Sequence, residues 1–269
     1  MNSCYDAAFR VDPHSMRNVQ LRARLAVFLV TALFFSTAHA GNPDALWQIV
    51  HNSCEPAARG ADVPQKCVDV DPSGGFAVLK DMNGIAQYLL IPTARIGGIE
   101  SPDLLTSGSP NYWRAAWEAR RFVEAKLGQD LPRDELSLAI NSTSGRTQNQ
   151  LHIHIDCLAP DVVRALREQG PKFGNEWTAF PILLRGHAYR IRRIDDADLA
   201  SIDPFKLLAP DVAREGQVMA DQTLLLAGTT APDGKPAFFL LNDHVQRDRG
   251  DFASSEELQD HTCAVARAK

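Results

Sequence analysis

Two histidines separated by a single residue, His152 and His154, are the side chains of this sequence best placed to do chemistry. They lie in Gln150-Leu151-His152-Ile153-His154-Ile155-Asp156-Cys157, where polar and apolar residues alternate. A period of two predicts a strand with Gln150, His152, His154 and Asp156 on one face and Leu151, Ile153, Ile155 and Cys157 on the other. Imidazoles two positions apart stand about 7 Å from each other along such a strand, and each buried ring needs hydrogen-bond partners. The pair is therefore poor core material and a good lining for a pocket that holds an anion. Three readings fit the spacing: one imidazole serves as a nucleophile, His-x-His with Asp156 supplies part of a three-ligand zinc set, or the strand has a polar face without chemistry.

The elements around the pair are those of an α+β chain. Gly74-Gly75 introduces a strand Phe76–Lys80, Asn83-Gly84 marks a turn, and Gln87–Ile91 reads as the returning strand, ended by Pro92. Asn111 caps a helix to Leu127 whose apolar stripe follows the helical period, with Gly128 as its stop and Trp113 and Trp117 as packing residues. Leu136–Asn141 is a strand, followed by a polar turn through Gly145 and the histidine strand, Leu151–Leu158. Upstream, Pro43–His51 carries Leu46, Trp47 and Val50 at helical spacing. Downstream, a helix runs from about Pro160 to Gln169, and strands are predicted at Ala188–Ile194, Thr223–Leu226 and Ala237–Leu241, the last two joined by Asp233-Gly234. Residues 41–160 thus form a core, and 161–269 an α+β extension that is either a degenerate repeat of the core or a continuation of its sheet.

Composition narrows the class of ligand. The 269 residues are 45% hydrophobic and 23% charged, as in an ordinary globular protein. A net charge of -5 gives no electrostatic footprint for nucleic acid, whereas a small phosphorylated ligand needs only a few local cations. Neither a G-x-x-x-x-G-K loop nor a dinucleotide fingerprint occurs.

Residues 1–40 read as a targeting segment. Arg17, Arg22 and Arg24 precede the apolar run from Leu25 to Phe35, and Ala38-His39-Ala40 offers a cleavage site. A cleaved signal peptide is expected, with an uncleaved signal anchor as the alternative, and the destination is the periplasm or the periplasmic side of the inner membrane. Export makes the cysteines structural: with Cys4 set aside, Cys54, Cys67, Cys157 and Cys263 are expected to form disulfides. The favoured pairing is Cys54 with Cys67, closing a short loop, and Cys157 with Cys263, tying the C-terminal tail to the core.

Taken together, Val78-Leu79-Lys80, the turn at Asn83, Gln87–Pro92, the helix, Leu138–Asn141 and Gln148 to Cys157 resemble the histidine-triad superfamily. Within it the chain resembles the CDP-diacylglycerol pyrophosphatases, through Ile140-Asn141-Ser142, Gly145–Asn149, Leu184–His187 and Glu256–Cys263 as well. The resemblance implies a HIT-like antiparallel sheet with helices packed on it. It also implies hydrolysis of CDP-diacylglycerol to CMP and phosphatidate through a cytidylyl-histidine. Transfer to another acceptor, hydrolysis of soluble nucleotides and non-catalytic binding in the envelope are the alternatives.

The family's His-φ-His-φ-His pattern is altered here, and two registers remain. Either Gln150 takes the first place and His152 the centre, or His154 is central and Asp156 takes the third. Thr147 to Gln150 reproduces the Ser-to-triad spacing of one branch, and Asn141 to His154 the amide-to-histidine spacing of another. His152 is favoured as nucleophile because relatives of this type carry His where Gln150 stands. Its second ring nitrogen should then donate to a backbone carbonyl, fixing the tautomer. Asn141, Arg146, Thr147, Gln148 and Gln150, with Lys80 and Asn83 from the first hairpin, are the expected substrate contacts. The implied partner is a lipid-linked nucleotide at a membrane surface; no cofactor, metal or nucleic acid is implied, and the oligomeric state stays open. His187 has either a phosphate-binding or a structural role, and His261 is expected near the histidine strand through Cys263.

Overall fold

The computed structural model describes residues 41–267, so the targeting segment lies outside the described residues. Among those described, no helix is long and apolar enough to cross a membrane.

The N-terminal helical stretch is α1 (Ala45–Ile49), a π-helical turn Val50–Cys54 and α2 (Glu55–Ala58). Strands β1 (Cys67–Asp71), β2 (Phe76–Lys80) and β3 (Tyr88–Pro92) follow as an antiparallel meander. The helix expected to Leu127 is broken in two, α3 (Tyr112–Ala119) and α4 (Arg121–Leu127). Asn111 caps α3 by accepting from the Arg114 N–H at 3.1 Å. The break falls at Arg120, whose N–H and guanidinium both donate to the Trp117 carbonyl, at 3.3 Å and 2.7 Å. Gly128, at φ 73°, ends α4 in the left-handed conformation that an L side chain resists. Trp113 and Trp117 are buried, and their rings pack against Phe205 and Phe238.

β4 (Leu136–Ile140) and β5 (Ile153–Cys157) pair antiparallel, and all ten of their residues are buried. The histidine strand is shorter than predicted. The Leu151 N–H donates to the Ile96 carbonyl at 2.6 Å, so the residues before Ile153 pair with a loop rather than with the sheet. Beyond lie α5 (Pro160–Gln169), β6 (Thr178–Ala179), β7 (Arg190–Ile194), α6 (Pro204–Arg214), β8 (Gln222–Thr230), β9 (Pro236–His244) and α7 (Ala264–Arg267).

The nine strands among the described residues form one antiparallel sheet in the order β1-β2-β3-β5-β4-β8-β9-β7-β6. The C-terminal strands continue the first sheet across the β4·β8 pair, with Leu138 opposite Leu226. The order is also symmetric. Each half runs hairpin, helix, hairpin, and its strands are arranged β2-β3-β5-β4 on one side and β6-β7-β9-β8 on the other. Both disulfides have the expected partners, Cys54 with Cys67 and Cys157 with Cys263. The first ties the π-helical turn to β1, beside a small core of Val50, Ala77, Leu89 and Ile91. The second ties the C-terminal tail to the end of β5.

Candidate active site

One cleft of about 480 Å³ gathers most of the residues singled out from the sequence. Lys80, Asn83, Asn141, Arg146, Thr147, Gln148, His152 and His154 line it, together with an apolar wall that includes Leu46, Ile49, Leu79 and Met82. A cleft of similar size, about 520 Å³, lies near Arg133, Arg167 and Arg193 and holds no histidine. Its arginines bond the Ala237 carbonyl, Asp134 and Glu135, and Asp195.

The two imidazoles meet edge to face, with ring centroids 4.8 Å apart. His152 stands just before β5, and its Nδ1 lies 2.7 Å from the Gln150 carbonyl oxygen. A carbonyl only accepts, so the hydrogen is on Nδ1 and Nε2 carries the lone pair. That Nε2 has no hydrogen-bond partner among the described residues. Burial pushes the His152 pKa down, against the opposing pull of the Gln150 bond and of Glu256. The ring is therefore neutral at pH 7.

His154 lies within β5, opposite Leu89 on one side and Ala139 on the other. Its Nδ1 is 2.9 Å from Gln87 Nε2 and 3.2 Å from Glu256 Oε1. Gln87 Nε2 also donates to Glu256 Oε1 at 3.1 Å. Burial lifts the Glu256 carboxyl, but His154 and the Gln87 and Asn141 amides outweigh it and hold it below the usual value. An ionised Glu256 requires the Gln87 amide to present its NH₂ group, and the second hydrogen of that group then points at His154 Nδ1. The tautomer assigned from this network puts the His154 hydrogen on Nε2, an atom that is buried and has no partner among the described residues. Burial lowers the His154 pKa to about 4 even against the nearby carboxylate, so this ring too is neutral at pH 7. The site thus offers one imidazole lone pair beside one imidazole N–H donor.

Asn141, at the end of β4, clamps Glu256 from the other side. Its Nδ2 donates to Glu256 Oε2 at 3.0 Å, and its Oδ1 accepts from the Glu256 N–H at 3.2 Å. Arg146 forms a two-pronged ion pair with Glu100, both contacts at 2.6 Å. Its guanidinium lies so close over Gly98 that a Cβ there would overlap it. Lys80 lines the cleft with its ammonium bonded to the turn carbonyls of Asp81 at 2.7 Å, Gly84 at 3.0 Å and Asn83 at 3.4 Å. Gln148 bonds backbone of the N-terminal segment, accepting from the Leu46 N–H at 3.1 Å and donating to the Asn42 carbonyl at 3.0 Å.

Gln150 is a correction. Expected among the substrate contacts, it is fully buried and does not line the cleft; its Nε2 donates to the Pro92 carbonyl at 2.9 Å and the Ala94 carbonyl at 2.8 Å. Gln150 lies three residues before the start of β5 at Ile153, where the carbonyls that follow β3 hold its amide. Asp156 is not among the residues that line the cleft; its Oδ2 lies 2.7 Å from His261 Nδ1, a bond that raises the His261 pKa. His187 sits apart, against Glu257.

Sequence reasoning did not assign roles to Glu256, Gln87 or Glu100. The signal for Glu256 was the disulfide: a bond between Cys157 and Cys263 draws the preceding acidic segment over the histidine strand. With Glu256 in place the polar chain is continuous, from His154 to Glu256 to His261, whose Nε2 is 3.5 Å from Glu256 Oε1, and on to Asp156.

Residues 41–267 match the sequence-family model described as CDP-diacylglycerol pyrophosphatase. A protein of Yersinia pestis named CDP-diacylglycerol pyrophosphatase is 46% identical over 241 residues, which is 90% of each chain. The matched residues 41–267 include those that line the cleft and the segment that carries Glu256, and the chain belongs to the CDP-diacylglycerol pyrophosphatase family.

Proposed function

We propose that the cleft hydrolyses the pyrophosphate bond of CDP-diacylglycerol, giving CMP and phosphatidate, with His152 as the nucleophile. The observation that carries the assignment is the 2.7 Å bond from His152 Nδ1 to the Gln150 carbonyl, which leaves the Nε2 lone pair for phosphorus. Nε2 bonds to the cytidylyl phosphorus as the bond from phosphorus to the bridging oxygen breaks, and phosphatidate leaves with that electron pair. Water then attacks the same phosphorus, the N–P bond breaks, CMP departs, and the water's proton passes to solvent.

His154 serves as the N–H donor to an oxygen on which charge builds. Its tautomer is held by Gln87 and Glu256, so the donor is oriented before substrate arrives. Lys80 and Arg146 supply positive charge near the phosphates, and Arg146 keeps its position through Glu100. The apolar wall of Leu46, Ile49, Leu79 and Met82 suits a substrate with a lipid or nucleoside portion beside its phosphates. The targeting pattern of residues 1–40 supports action at the periplasmic side of the inner membrane, where a membrane-bound substrate is met.

Single substitution of His152 and His154 by Ala tests the roles. His152→Ala should lower kcat with CDP-diacylglycerol by at least about 10³-fold, and His154→Ala by about 10²-fold, the range for one oriented donor. Full activity in His152→Ala overturns the nucleophile. Turnover in ¹⁸O-water separates hydrolysis from transfer, since the label must appear in CMP.

A further inference from the structure

We propose that His187, Asp243 and Asp251 form a structural site for a divalent cation of the Mn²⁺ or Zn²⁺ type, distinct from the catalytic cleft. Each of the three offers one ligand atom, and these atoms lie within 4.8 Å of one another. One imidazole with two carboxylates is a mixed nitrogen and oxygen set, suited to such ions.

Four further observations bear on a cation there. Asp243 and Asp251 are each only 3% exposed, and two carboxylates brought together away from water are relieved either by a proton held between them or by a cation that displaces it. Asp243 Oδ1 accepts from the His244 N–H at 2.7 Å, but its Oδ2 is buried and meets no donor among the described residues. Asp251 Oδ1 accepts from the Ala253 N–H at 2.8 Å, which fixes the second carboxylate from behind. His187 is arranged as ligating histidines are. Its Nδ1 is 2.6 Å from Glu257 Oε1, an oxygen that also accepts from the Tyr189 hydroxyl at 2.7 Å, so Nε2 is the ring nitrogen left for a ligand.

The site has a mechanical consequence. It would fasten three separate pieces of chain: the turn before β7, the end of β9, and the segment leading to Glu256. That segment also supports the catalytic loop, since the Ala253 carbonyl accepts from the Ser142 N–H at 3.0 Å and the Phe252 carbonyl from the Ser142 hydroxyl at 2.6 Å. A cation at His187, Asp243 and Asp251 therefore holds Glu256 against His154 from outside the cleft.

Titration of the chelator-treated protein with Mn²⁺ at pH 7.5, read by loss of the free-ion electron paramagnetic resonance signal and by Tm, tests the assignment. One Mn²⁺ should bind per chain, with a rise in Tm on the order of 5 °C at saturation. Asp243→Asn should abolish both effects, and His154→Ala should retain them. Glu257→Gln leaves the three ligands in place and should weaken Mn²⁺ binding by about 10-fold to 100-fold, which keeps the test decisive if Asp243→Asn does not fold. No Mn²⁺ bound to the folded protein, affinity unchanged in Glu257→Gln, or binding lost in His154→Ala instead would each overturn the proposal.

Discussion

Acidification should unfold this protein in part through His154, and the size of that contribution follows from the ring's surroundings. An imidazole with an ordinary pKa of 6.5 is lowered to about 4 in the folded chain, burial being the main cause and Glu256 the main opposing one. Between those values the unfolded chain binds a proton at this position and the folded chain does not. Stability therefore rises with pH through the window from about 4 to 6.5, and it is lost as pH falls through that window. At 1.36 kcal/mol per pKa unit the loss is about 3 kcal/mol, a large fraction of the total stability of a typical domain. His154→Gln keeps a polar side chain that does not titrate. Urea unfolding of both proteins with disulfides intact, at pH 7.5 and pH 4, gives the difference directly. The native protein should lose about 3 kcal/mol more than His154→Gln over that range. Titrating groups other than Glu256, whose carboxyl interacts with the His154 ring, are common to the two and cancel to first order. Equal losses would refute a neutral, buried His154, and with it the assignment of its Nε2–H as a ready donor.

The disulfide between Cys157 and Cys263 spans 106 residues, so replacing both cysteines by Ser should cost about 4 to 5 kcal/mol in urea unfolding, against about 3 kcal/mol for the 13-residue Cys54–Cys67 loop. The first replacement should also lower kcat, because it releases the tail that holds Glu256 and His261, while the second should leave kcat nearer to normal. Gly98→Ala should displace the Arg146 guanidinium from its seat and raise KM for CDP-diacylglycerol by roughly 10-fold, the scale of one charge-assisted contact. An unchanged KM in that variant would mean that Arg146 does not contact the phosphates.

The parts of the molecule legible in the sequence are those where local pattern and tertiary demand agree. Phe76–Lys80 and Tyr88–Pro92 were readable because the turn residues Asn83 and Gly84 sit between two apolar runs, and the capped start and glycine stop of the Asn111–Gly128 segment marked its ends. Helix α6 was not read, since Pro204 and Pro210 argue against a helix locally; Pro204 in fact occupies the first turn, Asp203 caps it, and buried Phe205, Leu208 and Val212 hold it to the core. Strand β1 escaped notice because Cys67–Asp71 mixes two acids with an exposed Val68 at the edge of the sheet, where one side needs no apolar neighbour.

At the site, the histidine pair was legible from alternation alone, and the cleft residues of the Asn141–Gln148 loop came from the family resemblance. Gln150 departs from the expectation because its amide satisfies the Pro92 and Ala94 carbonyls of the loop after β3, a demand that no local pattern reveals. Glu256 lies too far along the chain for any local pattern to connect it with His154. Gln87 was read as part of a strand, although its amide is what assigns the hydrogen on His154. These residues act through hydrogen bonds that only the folded sheet creates.

The proposed nucleophile is His152 Nε2. Substrate labelled with ³²P in the cytidylyl phosphate, mixed with excess enzyme and quenched within milliseconds under alkaline conditions, should leave label on the chain. Peptide mapping should then find it on the peptide's His152, bonded at Nε2, and His152→Ala should trap none. Label on His154, or turnover of CDP-diacylglycerol with no label on the protein at any quench time, would contradict the account.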